Sequence, residues 1–282
     1  MTLRNRWRKT LSFVMLSLTG VCALAAVIIL FLMLGYLVYN GWRSVDWDFF
    51  TKLPKSPGES GGGMANAIVG SFQIILLATV IGLPVGFMAG IYLSEFGGKS
   101  FAFLVRYMAD LLNGVPSIVI GIFAYAVVVI PMHVNSALAG GFALAVMLIP
   151  ITARSTEQFM NSVPQTLREG ALALGASKWK AIATVVVPAA YRGIATGMIL
   201  GVARIAGETA PLLFTSGSSD YMSTGFTQPT ASLPVMIYYR ATAPWEDWHR
   251  QAWAAGMVLL FLVLLANVAA RLILSRGIAV QK

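Results

Sequence analysis

The chain has 282 residues, of which 57% are hydrophobic and only 11% charged, and its mean hydropathy is +0.76. Soluble domains carry about 25% charged residues, so this composition excludes a soluble globular protein and indicates an integral membrane protein. The formal net charge of +9 would suit a nucleic-acid-binding protein, but the basic residues stand between apolar runs, which a membrane topology explains. The single cysteine, Cys22, excludes a disulfide framework and a cysteine metal cluster.

Six apolar segments are long enough to cross about 30 Å of hydrocarbon, which takes roughly 20 helical residues. The predicted fold class is therefore all-α, a polytopic membrane protein with six transmembrane helices. The first apolar run is too long for the core of a cleaved signal peptide, roughly 7–15 residues, so we expect it to be retained as a span. The segments are about 11–39, 64–93, 101–130, 136–153, 192–214 and 251–274.

Proline and glycine mark the expected irregularities. Asn113 to Pro116 predicts a kink in the third span, because proline removes a backbone donor. The fourth span is expected to end at Pro150. Pro57, Gly58 and their neighbours predict a flexible linker before the second span. We divide the chain into 1–63, comprising an N-terminal tail, the first span and this linker, and a helical membrane domain, 64–282.

The distribution of basic residues predicts the orientation. Fourteen of the 20 Lys and Arg residues lie on one side of the spans and five on the other, while Arg204 lies within a span. The positive-inside rule places the side with the excess, including both termini and the loop 154–191, in the cytoplasm. The linker and the segment 215–250 are then outside, so the chain is expected to be a multi-pass membrane protein with both termini in the cytoplasm.

The loop 154–191 is too long and regular for a simple connector. Helix-forming residues dominate from Thr166 to Ala176, Gly175 suits a helix stop, and Lys178 begins a second short helix that runs towards Pro188. The pattern predicts a helix–turn–helix projection. The alternative interpretation is an amphipathic helix pair that lies on the lipid headgroups.

A spacing match favours the first interpretation. The loop contains Glu169-Gly170-Ala171, then three residues, Gly175, nine residues, Val185, one residue and Val187-Pro188. This spacing resembles the EAA loop of ABC importer permeases. Gly170, Val185 and Val187 differ from the Ala, Ile and Leu of the family pattern. This resemblance implies coupling helices that dock in a groove of an ATP-hydrolysing subunit. The residues it assigns to coupling are Arg168, Glu169, Gly170, Ala171, Leu174, Gly175, Ala176, Ser177 and Lys178.

The fifth span combines small and charged residues. Gly193, Gly197 and Gly201 recur every four residues and predict a close helix–helix contact. Arg204 and Glu208 are expected on the same face, turned towards a protein neighbour or a cavity. Two interpretations stay open: the two side chains form a structural ion pair, or the planar guanidinium of Arg204 binds an oxyanion such as phosphate.

The segment from Ala203 to Thr215, ARIAGETAPLLFT, is similar to the signature of the A-type permease subunit of the bacterial phosphate-specific ABC transporter. Gly114 to Val119 and Val163 to Glu169 fit the same family. The resemblance implies a type I ABC importer permease that carries phosphate and has Arg204, Glu208 and Thr209 on its translocation pathway. It implies four kinds of partner: a homologous C-type permease, an ATPase dimer that binds ATP and Mg²⁺, a periplasmic or lipid-anchored phosphate-binding protein, and membrane lipid.

Other readings compete with this one. Within the same class, the transported anion could be molybdate or sulfate. Two alternatives come from other classes: a membrane enzyme, and a membrane channel or scaffold that has no ATPase partner. Gly98-Lys99-Ser100 ends like a P-loop but lacks its first glycine, and His133 and His249 have no acidic or cysteine companions, so we expect no ATP, cofactor or metal site in this chain. Arg106 and Asp110 are interpreted as a local i, i+4 ion pair, with a gating role as the alternative.

Overall fold

The computed structural model describes residues 3–56, 59 and 61–276. Pro57 and Gly58 of the predicted linker and the C-terminal tail 277–282 lie outside the described residues. Within the described part the chain is helical and contains no strand. The α-helices are α1 Leu3–Gly41, α2 Trp47–Thr51, α3 Ala65–Glu95, α4 Lys99–Gly114, α5 Ser117–Ala124, α6 Ile130–Met132, α7 Ala137–Asn161, α8 Gln165–Ala173, α9 Lys178–Ala181, α10 Val187–Ala206, α11 Ala210–Thr215, α12 Leu233–Ala241 and α13 Glu246–Arg276.

Five helical segments among the described residues are long and apolar enough to cross a membrane, and one bent pair makes a sixth candidate. This count agrees with the predicted six spans. Short π-helical turns at Tyr125–Val129 and Ile182–Val186 keep the helical path continuous from α5 into α6 and from α9 into α10. The protein is therefore an all-α, multi-pass membrane protein.

The third predicted span, 101–130, is broken rather than kinked. Ser100–Gly114 and Ser117–Met132 meet at an angle of 103°. Val115, the residue before the proline, is extended at φ −68° and ψ 132°, as steric contact with the proline ring requires. The helix therefore ends at Gly114, and a new helix starts after Pro116.

The fourth span is longer than predicted. α7 continues through Pro150 to Asn161, so the loop starts at about residue 162 rather than 154. A proline inside a helix costs about 3 kcal/mol. The burial of α7 between α3 and α10 offsets this cost, since Leu148, Thr152 and Met160 around and beyond the proline are all buried.

The fifth span differs at both of its ends. It starts at Lys178, because the second helix of the loop runs through the π-helical turn and Pro188 directly into α10. It ends at Ala206, where Gly207 to Thr209 break the helix before α11. The predicted continuous helix over 192–214 is thus wrong, and Glu208 lies in the break.

Glycines bring α3 and α7 together, and this pair forms the centre of the bundle. A Cβ atom at Gly82 would lie 3.0 Å from Leu148 Cβ, and one at Gly86 would lie 2.7 Å from Ile149 O. A Cβ at Gly90 would lie 2.5 Å from Thr156 Cβ. Because such distances are closer than real Cβ contacts, the three glycines allow the two helices to approach closely.

The predicted linker is largely packed instead of flexible in the part that the structure describes. Asp46 caps α2 by accepting a hydrogen bond of 2.8 Å from the Phe49 N–H, and Phe49 is buried. Gly61 and Gly62 adopt left-handed φ values of 83° and 85°. A Cβ at Gly63 would overlap Asp48 O. The glycines therefore allow the linker to pack closely around α2, and they do not make it a flexible segment.

Candidate functional site: the coupling hairpin and the broken fifth span

Residues 162–181 form a helical hairpin, which we call the coupling hairpin, at the end of the bundle where α3 and α7 end. Its turn is a Schellman motif. The Gly175 N–H donates to Leu172 O at 2.9 Å, and the Ala176 N–H donates to Ala171 O at 3.2 Å. Gly175 has φ +82°, which glycine adopts without steric cost, and Ser177 then caps α9. The turn thus lies where the sequence places it.

The tip of the coupling hairpin is exposed and partly apolar. Leu174 is 91% exposed, and Leu167, Leu172, Glu169 and Gly170 are exposed as well. Ala171 and Ala176 are half-buried, and Ser177 is exposed. An apolar side chain held out at the tip of a rigid turn is suited to contact with another protein.

Arg168 and Lys178 behave differently from the rest of the predicted coupling residues. The side chain of Arg168 is 15% exposed and makes an ion pair of 3.0 Å with Glu95 on α3. Its Nη1 and Nη2 atoms donate to Val163 O and Met160 O at 2.7 and 2.6 Å. Lys178 Nζ donates to Glu95 O and lies 4.3 Å from the centre of the Phe96 ring. Both cations therefore face the bundle.

The glycine face of α10 packs on α7. A Cβ at Gly193 would overlap the Phe159 ring, and one at Gly197 would overlap Ser155 Oγ. A Cβ at Gly201 would lie 3.0 Å from Leu148 Cδ1. α7 is consequently held between two glycine faces, one on α3 and one on α10.

Arg204, Glu208 and Thr209 lie where the fifth span breaks. Arg204 is exposed in the last turn of α10, where a cation interacts favourably with the helix dipole. Glu208 is half-buried, and Thr209 is half-buried at the start of α11. The helix break separates the expected i, i+4 partners: among the described residues Arg204 forms no ion pair with Glu208 or any other carboxylate.

The break in the fifth span lies beside the break in the third. A Cβ at Gly121 would be 2.6 Å from Pro211 Cα, so α5 and α11 pack in backbone contact. Leu212 and Thr215 of α11 are buried, and so is Ile120 of α5. The two interrupted spans therefore support each other and fix where α10 ends, which sets the position of Arg204.

The interpretation of Arg106 and Asp110 as a local ion pair is wrong. Arg106 pairs with Glu157 of α7 at 2.5 Å and donates to Leu93 O of α3 at 3.1 Å. Asp110 accepts two hydrogen bonds from Arg154, of 3.0 and 2.9 Å. Arg154 also contacts Glu157 at 3.1 Å. The four charges form one neutral network that joins α4 to α7.

Sequence reasoning missed Glu157, which is 4% exposed, as a member of this network. It also missed the close packing of Gly82, Gly86 and Gly90. A signal was present in both cases: three glycines at intervals of four, and Arg154 and Glu157 at a helical spacing of three. The second signal was lost because the sequence placed both residues in a loop.

At the opposite end of the bundle, α12 buries Arg240, which is 2% exposed. Its guanidinium lies 5.2 Å from the centre of the Trp248 ring. Burial lowers the pKa of Arg240 to about 10, and the nearby charge of Asp220 opposes that shift. Nε and Nη1 have no hydrogen-bond partner in the described part of the chain. The burial of the Arg240 guanidinium therefore lowers the free energy of unfolding of the chain.

Comparison with known proteins locates this architecture in a family. The family described as binding-protein-dependent transport system inner membrane component matches residues 82–277. The phosphate transport system permease protein PstA of Yersinia pestis is 44% identical over 97% of this chain and 93% of its own. PstA of Haemophilus influenzae is 43% identical over 96% of both chains.

Solved structures share the fold at low sequence identity. A bacterial ABC transporter that imports the acidic polysaccharide alginate matches with a TM-score of 0.63 and 17% identity, over 93% of this chain and 98% of that chain. The MetNI methionine ABC transporter matches with a TM-score of 0.58 and 18% identity, over 75% and 93%. These structures show the shared fold, and the family match and the two relatives establish that the chain belongs to the inner membrane components of binding-protein-dependent transport systems, within the PstA group of phosphate transport permeases.

Proposed function

We propose that the chain is the transmembrane permease subunit of an ATP-driven importer that moves inorganic phosphate into the cytoplasm. The observation that carries this proposal is the 44% identity to a phosphate transport permease over 97% of the chain. The protein is then a multi-pass component of a bacterial inner membrane with both termini in the cytoplasm, as the excess of basic residues on that side favours. ATP and Mg²⁺ would bind to a separate ATPase subunit.

The shape of the coupling hairpin supports the inference that an ATPase subunit binds to it. Its rigid turn at Gly175 and its exposed Leu174 offer a compact surface that a groove in an ATPase dimer can accept. Glu169 and Gly170 lie on the exposed part of the same hairpin. A headgroup-bound amphipathic pair would need a continuous apolar face along both helices. The match of Glu169 to Pro188 with the spacing of the EAA loop favours docking to protein instead.

The position of Arg204 supports the inference that an anion passes along this part of the protein. Its guanidinium is exposed and has no described carboxylate partner, so its charge is available to a ligand or to a homologous C-type permease that packs on this face. A planar guanidinium can bind two phosphate oxygens at once. Glu208 and Thr209 lie beside it at the break, where side chains can approach the path without lying on a helix.

The mechanism we infer is alternating access. Closure of the ATPase dimer moves the coupling hairpins, and because α7 ends directly in the hairpin, this movement reaches the packed centre formed by α3, α7 and α10. Rearrangement of these helices around the break at Gly207–Thr209 opens the path first to the outside and then to the cytoplasm. ATP supplies energy only to the extent that it binds one conformation more tightly than the other. A soluble or lipid-anchored phosphate-binding protein would deliver the anion from outside.

Reconstitution tests the proposal. The complete complex, with its C-type permease, ATPase and binding protein, is placed in liposomes, and ATP-dependent uptake of phosphate, sulfate and molybdate is compared. Phosphate uptake well above the other two is expected. Preferred uptake of sulfate or molybdate would assign another anion, and uptake that does not depend on ATP would indicate a channel.

A further inference from the structure

The two helices of the coupling hairpin are both attached to the same point, the last turn of α3. Arg168 of α8 pairs with the Glu95 carboxylate, and Lys178 of α9 donates to the Glu95 carbonyl oxygen. Trp179 of α9 packs on Phe96, with ring centres 4.6 Å apart at 30°. One short segment at the end of α3, Glu95-Phe96, thus receives contacts from both helices.

These contacts are the main route from α8 to α3. A cavity of about 540 Å³ opens between them, with Ser94 and Glu95 on one side and Gln165, Arg168 and Leu172 on the other. Across this cavity, α8 contacts α3 through the long side chain of Arg168 rather than by packing of the two helices. The Arg168 side chain is 15% exposed and that of Glu95 is 9%, so water competes little with their ion pair.

Arg168 joins α3 to α7 as well. Its two terminal nitrogens donate to Met160 O and Val163 O, at the end of α7 and just beyond it. Met160 O also accepts from the Val163 N–H at 3.2 Å, and Val163 lies beyond the end of α7, so the guanidinium adds hydrogen bonds where the regular helical pattern has ended. A single guanidinium therefore fastens the hairpin to the ends of the two helices that form the centre of the bundle.

We propose that Glu95 is a positioning residue for energy coupling: with Arg168, Lys178 and the Phe96–Trp179 ring pair it forms a clamp that makes the coupling hairpin move as one body with α3. This inference rests on the proposed function as an ATP-driven permease. It assigns Arg168 and Lys178 to contacts with the end of α3, and leaves docking of the motor to the exposed tip around Leu174. Through the clamp, displacement of the tip by the ATPase moves α3 and α7.

The test measures transport and ATP hydrolysis together in the complete reconstituted complex. In Glu95→Gln the hairpin tip is unchanged, so the ATPase still docks and hydrolyses ATP. The anion imported per ATP hydrolysed is expected to fall at least about tenfold, the lower limit of the effect of losing a hydrogen bond to a charged group. Misfolding alone would lower both rates together and leave their ratio unchanged. Glu95→Asp keeps the charge and should retain part of the coupling.

Glu246→Gln is the matched control, because Glu246 also pairs with an arginine, Arg250 at 3.3 Å, but is 82% exposed and far along the chain on α13. It should leave the ratio at the wild-type value. A wild-type ratio in a Glu95→Gln complex that assembles to the wild-type level, or an equal loss in Glu246→Gln, would overturn the clamp.

Cross-linking gives an independent answer, even where Glu95→Gln does not assemble. Ser94→Cys and Gln165→Cys, which line the cavity from α3 and α8 and lie outside the clamp, are combined with Cys22→Ser and treated with a short bismaleimide. The cross-link should form and leave ATPase stimulation and uptake intact, since the clamp keeps these positions together throughout the cycle. Failure to cross-link, or transport arrested by it, would show that the hairpin leaves α3.

The two proposals can fail separately. ATPase stimulation and the variant-to-wild-type ratio can be measured with whichever anion the complex carries, whereas only the choice of anion by the wild type tests phosphate transport.

Discussion

Replacing Arg204 and Glu208 separately and together distinguishes a ligand role from a structural ion pair. Because Arg204 is exposed and unpaired among the described residues, Arg204→Gln should change stability little, by about 1 kcal/mol at most from the lost helix-dipole interaction. A hydrogen bond to a charged group contributes about 1.5–3 kcal/mol, so losing it from the transport path should lower uptake roughly 10- to 150-fold.

The double variant Arg204→Gln/Glu208→Gln should be no better than Arg204→Gln, since the helix break leaves the two charges unpaired. Arg204→Lys keeps the positive charge and the favourable dipole contact but loses the planar fork, so it should transport poorly while remaining as stable as the wild type. The assay is phosphate uptake in liposomes normalised to assembled complex, together with thermal unfolding in detergent. Wild-type uptake by the double variant would refute the reasoning and return Arg204 to a structural role.

Three further predictions concern the hairpin turn, the contact between α3 and α7, and the buried Arg240. Gly175→Ala should weaken stimulation of the ATPase, because a side chain at φ +82° costs about 1–2 kcal/mol, and Gly175→Pro should abolish it; normal stimulation in the proline variant would show that the hairpin is not the coupler. Gly86→Leu should lower the yield of assembled complex, since even a Cβ would lie 2.7 Å from Ile149 O, whereas Gly207→Ala, with nothing within 4 Å, serves as control. Arg240→Met should keep or raise the melting temperature of the isolated chain in detergent, because the buried guanidinium leaves two nitrogens unsatisfied; a fall of several degrees would reveal a stabilising contact.

The sequence by itself determined the features that depend on local composition and spacing. Apolar runs of about 20 residues predict spans because a helix must satisfy its own backbone hydrogen bonds in lipid. The turn of the coupling hairpin at Gly175 was equally predictable, because a left-handed residue after a run of helix formers favours glycine. The spacing of the EAA loop and the segment from Ala203 to Thr215 were enough to indicate the family, which the relatives confirm.

Tertiary structure decided which charges meet and where helices end. Arg106 and Asp110 have ideal spacing for a local pair, yet each finds a stronger partner on α7, because α7 continues through Pro150 and brings Arg154 and Glu157 beside α4. Arg204 and Glu208 are separated by a helix break for which Gly207 at the end of α10 and Pro211 at the start of α11 were the sequence signal, but the i, i+4 spacing of the two charges outweighed it in the prediction. Burial against neighbouring helices can offset the local cost of a proline or a broken turn, and that gain depends on residues far away in the sequence, such as Gly121 against Pro211.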